Sequence, residues 1–179
     1  MNIRDIRRAF DKHKTDKGRD HGYEYMYSEL FLGNDFSSLL EIGVRQGRSI
    51  ATWQELFPNI KIAGVDIKRP KNLEVNENTF NYILCDSTTE AIRKHIDTTY
   101  DIIIDDGSHV TEDQIKTFLN LADRFSYCYV IEDIHCHGGN RLAYEQIANA
   151  VKQAGYSTIV KYPSTGMHKN MYAMVVFKD

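Results

Sequence analysis

The chain has 179 residues, and it is short of cysteine, of proline and of long hydrophobic runs. Its three cysteines are an odd number without the paired spacing of a zinc site, so reduced thiols are expected. With only three prolines and no Pro/Ser-rich linker, the sequence predicts a single compact domain. No segment approaches the roughly 20 consecutive apolar residues of a membrane-spanning helix.

Basic charge is not in excess either. The 22 lysines and arginines are outnumbered by 25 aspartates and glutamates, and the net charge of −3 provides no basic surface for nucleic acid. The N-terminus is charged throughout and lacks the apolar segment of a secretory signal. We therefore expect a cytoplasmic protein that binds neither nucleic acid nor a membrane, and we leave open whether it forms a homo-oligomer.

Alternating apolar and amphipathic segments predict an α/β fold with a doubly wound, mainly parallel sheet. The predicted strands are residues 39–42, 60–67, 80–85, 100–104, 127–131, 157–162 and 171–177. Helices are predicted near the N-terminus, after the first strand, and at residues 88–96, 111–125 and 141–154, with Ser87 and Thr111 as N-caps. The short connection 163–170 favours an antiparallel C-terminal hairpin. We assign residues 1–36 to an N-terminal helical and lid segment and residues 37–179 to the α/β domain.

A glycine-containing loop, E-I-G-V-R-Q-G-R-S, follows the first predicted strand from Glu41 to Ser49. Gly43 and Gly47 allow a sharp turn and a close approach of the backbone to a ligand. Their spacing departs from the G-x-G-x-x-G pattern of dinucleotide-binding proteins. It resembles instead the acidic-x-Gly-x-x-x-Gly loop of S-adenosylmethionine (SAM) enzymes, which implies that residues 41–49 contact SAM.

Polar residues end the next two predicted strands. Asp66 lies about 20 residues beyond the glycines, where an acid can bind both ribose hydroxyls of a nucleoside. Asp86 and Ser87 follow the third strand, at the position where this type of fold usually reads the adenine edge. A strand-end aspartate alone is often a helix cap, but acids at successive strand ends favour a SAM site.

Two acidic segments then end the fourth and fifth predicted strands, IIIDDGSH (102–109) and YVIEDIH (129–135). Because the carboxyl ends of parallel strands meet at one edge of a sheet, we expect Asp105, Asp106, Glu132 and Asp133 to lie close together. Carboxylates so close repel one another, and a bound cation relieves the repulsion. Asp105 is expected to support the site, bonded to a backbone amide or to the SAM amino group, because successive strand residues face opposite sides.

The ordered motifs HKTDKG, HGYEYMY, LLEIGVRQGRS, DIIIDDGSH and YVIEDIH resemble those of the metal-dependent sugar O-methyltransferases of macrolide biosynthesis and the related cephalosporin hydroxylase-like proteins. The resemblance covers nearly the whole chain and implies a class I methyltransferase fold. It implies that Asp106, Glu132 and Asp133 bind Mg²⁺ or Mn²⁺, and that His109 is the catalytic base. The chain is short for that family, so the acceptor does not carry over.

The same resemblance implies a cofactor role for the N-terminal segment. Thr15, Lys17, His21 and Tyr25 are expected to fold over SAM as a lid, with Lys17 meeting the methionine carboxylate. The alternative is a solvated loop before a helix. His135, Cys136 and His137 are treated as loop residues near the substrate, because one short loop provides only half of a zinc site.

The chemistry of these residues agrees with O-methylation of a hydroxylated small molecule, such as a sugar. A hard cation held by oxygen ligands favours loss of the hydroxyl proton, and a neutral imidazole can accept it. Two alternatives stay open: a hydroxylase-like relative with iron bound by His109 and His135 or His137, and a non-catalytic SAM-binding module. An intact His109 beside potential metal ligands argues against the second alternative.

Overall fold

The computed structural model describes residues 2–76, 79–135, 142–168 and 170–178. In these residues the helices are α1 (Ile3–His13), α2 (Glu24–Phe31), α3 (Arg48–Leu56), α4 (Ile92–His95), α5 (Thr111–Leu121) and α6 (Leu142–Gln153). The strands are β1 (Ser38–Ile42), β2 (Lys61–Asp66), β3 (Phe80–Leu84), β4 (Tyr100–Asp105), β5 (Phe125–His135), β6 (Ile159–Pro163) and β7 (Met171–Phe177).

The strands form one seven-stranded sheet in the order β3-β2-β1-β4-β5-β7-β6. The pairs from β3 to β5 are parallel, whereas β7 pairs antiparallel with both β5 and β6. The order reverses at β1 and β4, so a crevice opens outside the carboxyl ends of these two strands. The predicted fold class is confirmed, including the C-terminal hairpin.

Helices cover both faces of the sheet, which explains the apolar character of its central strands. On one face, Phe10 of α1, Tyr27 of α2 and Trp53 of α3 pack together against β1 and β4. On the other face, Phe118 of α5 and Ile147 of α6 belong to a second core cluster with β4 and β5. Each strand therefore directs alternate side chains into two separate cores, and this alternation decides where each acidic side chain lies.

Two predicted elements differ from the structure. The fifth strand was expected to end at residue 131, but β5 continues to His135 because β7 pairs with it as far as Met171. Glu132 and Asp133 therefore lie inside the strand, at an interruption of its register where Asp133 has a φ of 52°. The left-handed conformation at Asp133 lets two adjacent acidic side chains approach the same site.

The helix predicted for residues 88–96 is mostly a turn, and only Ile92–His95 is helical. Asp86 rather than Ser87 caps this turn, since its Oδ1 accepts hydrogen bonds from the Thr88 amide (2.9 Å) and hydroxyl (2.7 Å). Thr111 is likewise the first residue of α5 and not its cap, which is Val110. The start of the helix predicted at 141 lies outside the described residues, and the helix is seen from Leu142.

No helix in the described part of the chain combines the length and the hydropathy needed to cross a bilayer.

Candidate functional site

A cleft of about 1390 Å³ opens at the carboxyl ends of β1 to β4. Nine of the residues predicted from the sequence to form the site line it. They are Thr15, Gly43, Ser49, Asp66, Asp86, Ser87, Asp105, Asp106 and His109. The cleft is thus large enough for a nucleoside-sized ligand, and the strand-end residues that were predicted to contact SAM face one space.

Gly43 is required where the first loop meets the fourth strand. Its φ is 88°, and a Cβ atom there would lie 2.0 Å from the carbonyl oxygen of Asp106. The amide of Asp106 also donates a hydrogen bond to Ile42 (2.9 Å). The absence of a side chain therefore lets the β1–α3 loop lie directly against the backbone that carries Asp106.

The predicted ribose- and adenine-reading acids shape the loops of the cleft. Asp66 accepts hydrogen bonds from the amides of Arg45 (2.8 Å) and Lys68 (3.1 Å), and so ties the β1–α3 loop to the end of β2. The Ser87 hydroxyl lies 3.0 Å from the Thr117 hydroxyl. The contacts of these residues with a nucleoside stay predictions.

Glu41 and Gly47 do not line the cleft. Glu41 is fully buried on the face of β1 that is covered by α3, where its Oε2 accepts a hydrogen bond from the Trp53 indole at 2.8 Å. Gly47 has a φ of 80°, and a Cβ atom there would lie 2.6 Å from Val75. Direct SAM contacts were predicted for both residues, but their surroundings favour a supporting role.

Lys17 is buried among carboxylates rather than in the cleft. Its side chain is 1% exposed, and its ammonium contacts Glu132 Oε2, Asp106 Oδ2 (2.7 Å) and Glu41 Oε1 (3.4 Å). Burial alone would lower the pKa of Lys17, but the charges of Asp106, Glu132 and Glu41 outweigh burial and raise the pKa well above its usual value. The role predicted for Lys17, binding a methionine carboxylate, does not fit this position, because its charge is already paired.

Asp133 is bound by two residues of the N-terminal segment. Its Oδ1 accepts a hydrogen bond from the Tyr23 hydroxyl (2.8 Å) and lies 3.0 Å from His21 Nδ1. Burial opposes ionisation of Asp133, but the contacts with His21 and Tyr23 outweigh it and lower its pKa to about 2. The contact with Asp133 raises the pKa of His21, although burial alone would lower it. His21, like Lys17, therefore contacts the acidic residues instead of the cleft.

His109 lies between the two aspartates. Its Nδ1 is 3.4 Å from Asp133 Oδ2 and its Nε2 is 3.6 Å from Asp106 Oδ1. It has a φ of 58°, which bends the chain after β4 and directs the ring back towards β5. Each ring nitrogen of His109 therefore faces a carboxylate oxygen, one from the end of β4 and one from β5.

Asp106, His109 and Asp133 offer ligand atoms that all lie within 4.8 Å of one another. Two of these atoms are carboxylate oxygens, the ligands that Mg²⁺ and Mn²⁺ prefer. Lys17 binds Asp106 Oδ2 and Tyr23 binds Asp133 Oδ1, whereas Asp106 Oδ1 and Asp133 Oδ2 are the oxygens nearer to His109. The donor set therefore fits a hard divalent cation.

Asp105 lies near Tyr129 of β5 and Asp113 of α5, and is not among the three potential metal ligands, in agreement with the supporting position that was predicted for it. Its Oδ1 accepts a hydrogen bond from the Gly107 amide (3.3 Å), and its carboxyl group also interacts with the buried Tyr129 hydroxyl. Burial raises the pKa of Asp105 to about 7. Asp105 also lines the cleft, so the contact with the SAM amino group that was predicted for it stays a prediction.

The N-terminal segment is fixed by the loop between β6 and β7. The Thr165 and His168 amides donate hydrogen bonds to the carbonyls of His21 and Asp20 (both 3.0 Å). A Cβ atom at Gly166 would lie 2.4 Å from the Asp20 carbonyl oxygen, so the loop packs directly on the segment. Residues 16–22 are thus packed against the β6–β7 loop. This packing does not agree with the alternative prediction of a solvated loop.

Other predicted residues lie outside this arrangement. The Tyr25 side chain is 58% exposed and does not line the cleft. The His135 ring lies 5.9 Å from the His109 ring, at the edge of the site. Cys136 and His137 fall outside the described residues.

Three aromatic residues of the site were not predicted: Tyr23 and Tyr27, which donate to Asp133 and Glu132, and Trp53, which donates to Glu41. The spacing of the two tyrosines could have indicated that they contact the same region. Tyr23 is the N-cap residue of α2 and Tyr27 lies four residues later in the helix, so the two side chains lie on the same side. The burial of a glutamate inside β1 likewise required a nearby donor.

Comparisons with known proteins agree with this architecture. The chain has the fold of class I methyltransferases. It superposes on the MycE methyltransferase from the mycinamycin biosynthetic pathway in complex with Mg and SAH, with a TM-score of 0.77 and 24% sequence identity. The superposition covers 96% of this chain and 54% of the MycE chain. A second structure of MycE contains Mg, SAH and mycinamycin VI. No family model matches the chain.

Two curated relatives from Streptomyces olivaceus are similar in sequence. One is the 8-demethyl-8-(2-methoxy-alpha-L-rhamnosyl)-tetracenomycin-C 3'-O-methyltransferase, with 30% identity over 75% of the chain and 38% of the relative. The other is the 8-demethyl-8-alpha-L-rhamnosyl tetracenomycin-C 2'-O-methyltransferase, with 28% identity over 69% of the chain and 36% of the relative. The predicted resemblance is confirmed, and the chain spans less than two fifths of these relatives.

Proposed function

We propose that the chain is a SAM-dependent, divalent-metal-assisted O-methyltransferase that acts on a hydroxyl of a sugar or another polyhydroxylated small molecule. One observation carries this proposal: Asp106 and His109 line the cleft and, together with Asp133, also form the group of potential metal ligands, here called the acidic cluster. A methyl donor in the cleft and a hydroxyl at the cluster would therefore meet at the same two residues. The named relatives are all O-methyltransferases or methyltransferases, which favours this function over a hydroxylase-like one.

The residues of the cleft suit the parts of SAM. Asp66 would bind the ribose, Asp86 and Ser87 the adenine edge, and Asp105 the amino group. Gly43 keeps the wall beside Asp106 free of side-chain atoms. When bound, SAM supplies an electrophilic methyl group, so the protein has to hold a nucleophile in line with it.

The acidic cluster suits the acceptor. Asp106 and Asp133 would hold the divalent cation, and the resemblance adds Glu132 to this set. The cation supplies positive charge that favours loss of the acceptor's hydroxyl proton. His109, which lies between Asp106 and Asp133, accepts that proton. Thr15, which lines the cleft, is the residue of the predicted lid group that we retain near the cofactor.

Calorimetric titration with SAM, SAH and NAD⁺ tests the cofactor. We expect SAM and SAH to bind and NAD⁺ not to bind.

Turnover is tested with isotopically labelled SAM and a panel of glycosides, in EDTA and after addition of Mg²⁺ or Mn²⁺. We expect label transfer only with metal; NAD⁺ binding in place of SAH, or full turnover in EDTA, would contradict the proposal.

The role of His109 is tested by His109→Ala. This variant should bind SAH with an affinity like that of the unmodified protein and lose at least about a hundredfold in turnover, because a general base typically contributes 10² to 10⁴. His95→Ala, in the short helix α4, is the matched control and should retain turnover. Unchanged turnover in His109→Ala would show that the imidazole only shapes the loop.

A further inference from the structure

Helix α5 buries two polar side chains on the face that packs against the sheet. Gln114 is 3% exposed and Thr117 is 2% exposed. The two residues are three positions apart, so they lie on the same face of the helix, which also buries Phe118 and Leu121. Gln114 and Thr117 both line the cleft. A glutamine buried in this way needs a hydrogen-bond partner at each end of its amide group.

One end of the Gln114 amide is bound by the protein. Its Nε2 donates a hydrogen bond to the carbonyl oxygen of Glu132 at 2.8 Å. A carbonyl oxygen can only accept hydrogen bonds, so the amide nitrogen has to be the atom in this contact and Oε1 is the other end. Oε1 is buried and has no hydrogen-bond partner among the described residues. Because Gln114 lines the cleft, a ligand in the cleft can provide the missing donor.

The neighbours of Gln114 on α5 show which part of the cleft it borders. The Thr117 hydroxyl lies 3.0 Å from the Ser87 hydroxyl, and Asn120 Nδ2 donates a hydrogen bond to the Ser87 carbonyl (3.0 Å). Helix α5 therefore runs beside the residues that follow β3. The proposed function places the adenine of SAM at these residues, so Gln114 lies one helical turn from the adenine edge.

The residues proposed for the adenine edge already have partners in the protein. Asp86 Oδ1 accepts hydrogen bonds from the amide and the hydroxyl of Thr88, and the Ser87 hydroxyl is paired with Thr117. Gln114 Oε1 differs because it is an acceptor without such a partner. An amide oxygen is uncharged and matches the uncharged amino group of adenine, whereas the ammonium group of SAM gains more from a carboxylate such as Asp105.

We propose that Gln114 is a SAM-binding residue whose Oε1 accepts a hydrogen bond from the 6-amino group of adenine. The contact with the Glu132 carbonyl fixes the orientation of the amide, so Oε1 prefers a ring that carries a donor at this position. This inference rests on the proposed function and adds a residue for which the motifs of the sequence predicted no role.

Calorimetric titration with two ligands tests the contact. One ligand is SAH, and the other is the analogue of SAH in which a hydrogen atom replaces the 6-amino group. We expect the unmodified chain to bind the analogue about five- to tenfold more weakly, which is the effect of one neutral hydrogen bond. Gln114→Met has no hydrogen-bonding group at the end of its side chain, so it should bind both ligands equally. Gln153→Met, in the exposed part of α6, is the matched control and should keep the preference for SAH.

The ratio of the two affinities separates binding from a structural role. If Gln114 only supports the Glu132 carbonyl, Gln114→Met weakens both ligands by the same factor and the preference for SAH persists, which would overturn the proposal. Gln114→Glu removes the donor to that carbonyl and keeps an oxygen acceptor, so it should keep the preference even if Gln114→Met does not fold. Loss of the preference in Gln114→Glu would count against the proposal.

A third ligand distinguishes the two amino groups of the cofactor. SAH without its α-amino group should lose as much affinity in Gln114→Met as SAH does. An unchanged affinity for this ligand in the variant would show that Oε1 binds the ammonium group, and the adenine contact would be wrong. Equal binding of SAH and the 6-deamino analogue by the unmodified chain would refute the contact alone, whereas no binding of SAH would refute the proposed function.

Discussion

Asp105 allows a quantitative prediction about stability. Its side chain is 2% exposed and its pKa is raised to about 7 by burial, whereas in an unfolded chain an aspartate has a pKa of about 3.9. The folded state therefore holds a proton on Asp105 that the unfolded state has released between these two values. Because the folded pKa is the higher one, this group's contribution to stability decreases as the pH rises from about 4 to about 7 and is constant above that.

The size of the effect follows from the shift. A difference of about 3 pKa units corresponds to about 4 kcal/mol at 1.36 kcal/mol per unit. Asp105→Asn keeps an oxygen acceptor for the Gly107 amide and cannot ionise. The variant should therefore match the unmodified protein near pH 4 and exceed its free energy of unfolding by up to about 4 kcal/mol at pH 8.

Urea denaturation at pH values from 4 to 8 measures this difference directly, provided that the slope of free energy against urea is the same for both proteins. Asp101→Asn, at the other end of β4, is the control. Burial of Asp101 is outweighed by hydrogen bonds from Ser37, Ser38 and Ser126, which lower its pKa, so this substitution should destabilise the protein at neutral pH. A free-energy difference between Asp105→Asn and the unmodified protein that does not vary with pH would refute the reasoning.

Two further predictions concern buried contacts of β1 and its loop. Gly43→Ala should weaken SAH binding at least about tenfold in calorimetry, because its Cβ would lie 2.0 Å from the Asp106 carbonyl oxygen. Gly33 also has a left-handed φ, but no atom lies within 4 Å of an added Cβ, so Gly33→Ala is the control and should leave SAH binding unchanged. Equal loss of SAH affinity in both variants would show that the backbone conformation of the glycine, and not the contact of its Cβ with Asp106, determines binding. Trp53→Phe should cost about 1–3 kcal/mol in urea denaturation, since it leaves Glu41 Oε2 without its donor. A cost below about 0.5 kcal/mol would mean that Glu41 is satisfied in another way.

The sequence predicted the fold well because periodicity determines element type. The seven strands, their alternation with helices and the final hairpin all depend on local patterns and short connections. The length of β5 could not be predicted in this way. Its residues 132–135 contain three polar side chains, and they extend the strand only because β7, about 40 residues later, pairs with them.

The candidate site was predicted in part. Strand-end positions identified the residues that line the cleft, such as Asp66 and Asp105, because the topology brings the carboxyl ends of parallel strands together. The side-chain partners of the acidic cluster were harder to predict. Lys17 and His21 lie about 90 to 115 residues from Asp106, Glu132 and Asp133, which they contact. Nothing local distinguishes a lysine that binds a cofactor from one that neutralises a buried glutamate.

The contact between the β6–β7 loop and residues 20–22 joins the beginning of the chain to its end. The loop donates hydrogen bonds to the His21 carbonyl, and His21 in turn contacts Asp133, so the last hairpin supports the position of an acidic side chain in β5. A chain shortened by its final hairpin would therefore lose the order of its N-terminal segment, although the two lie at opposite ends of the sequence.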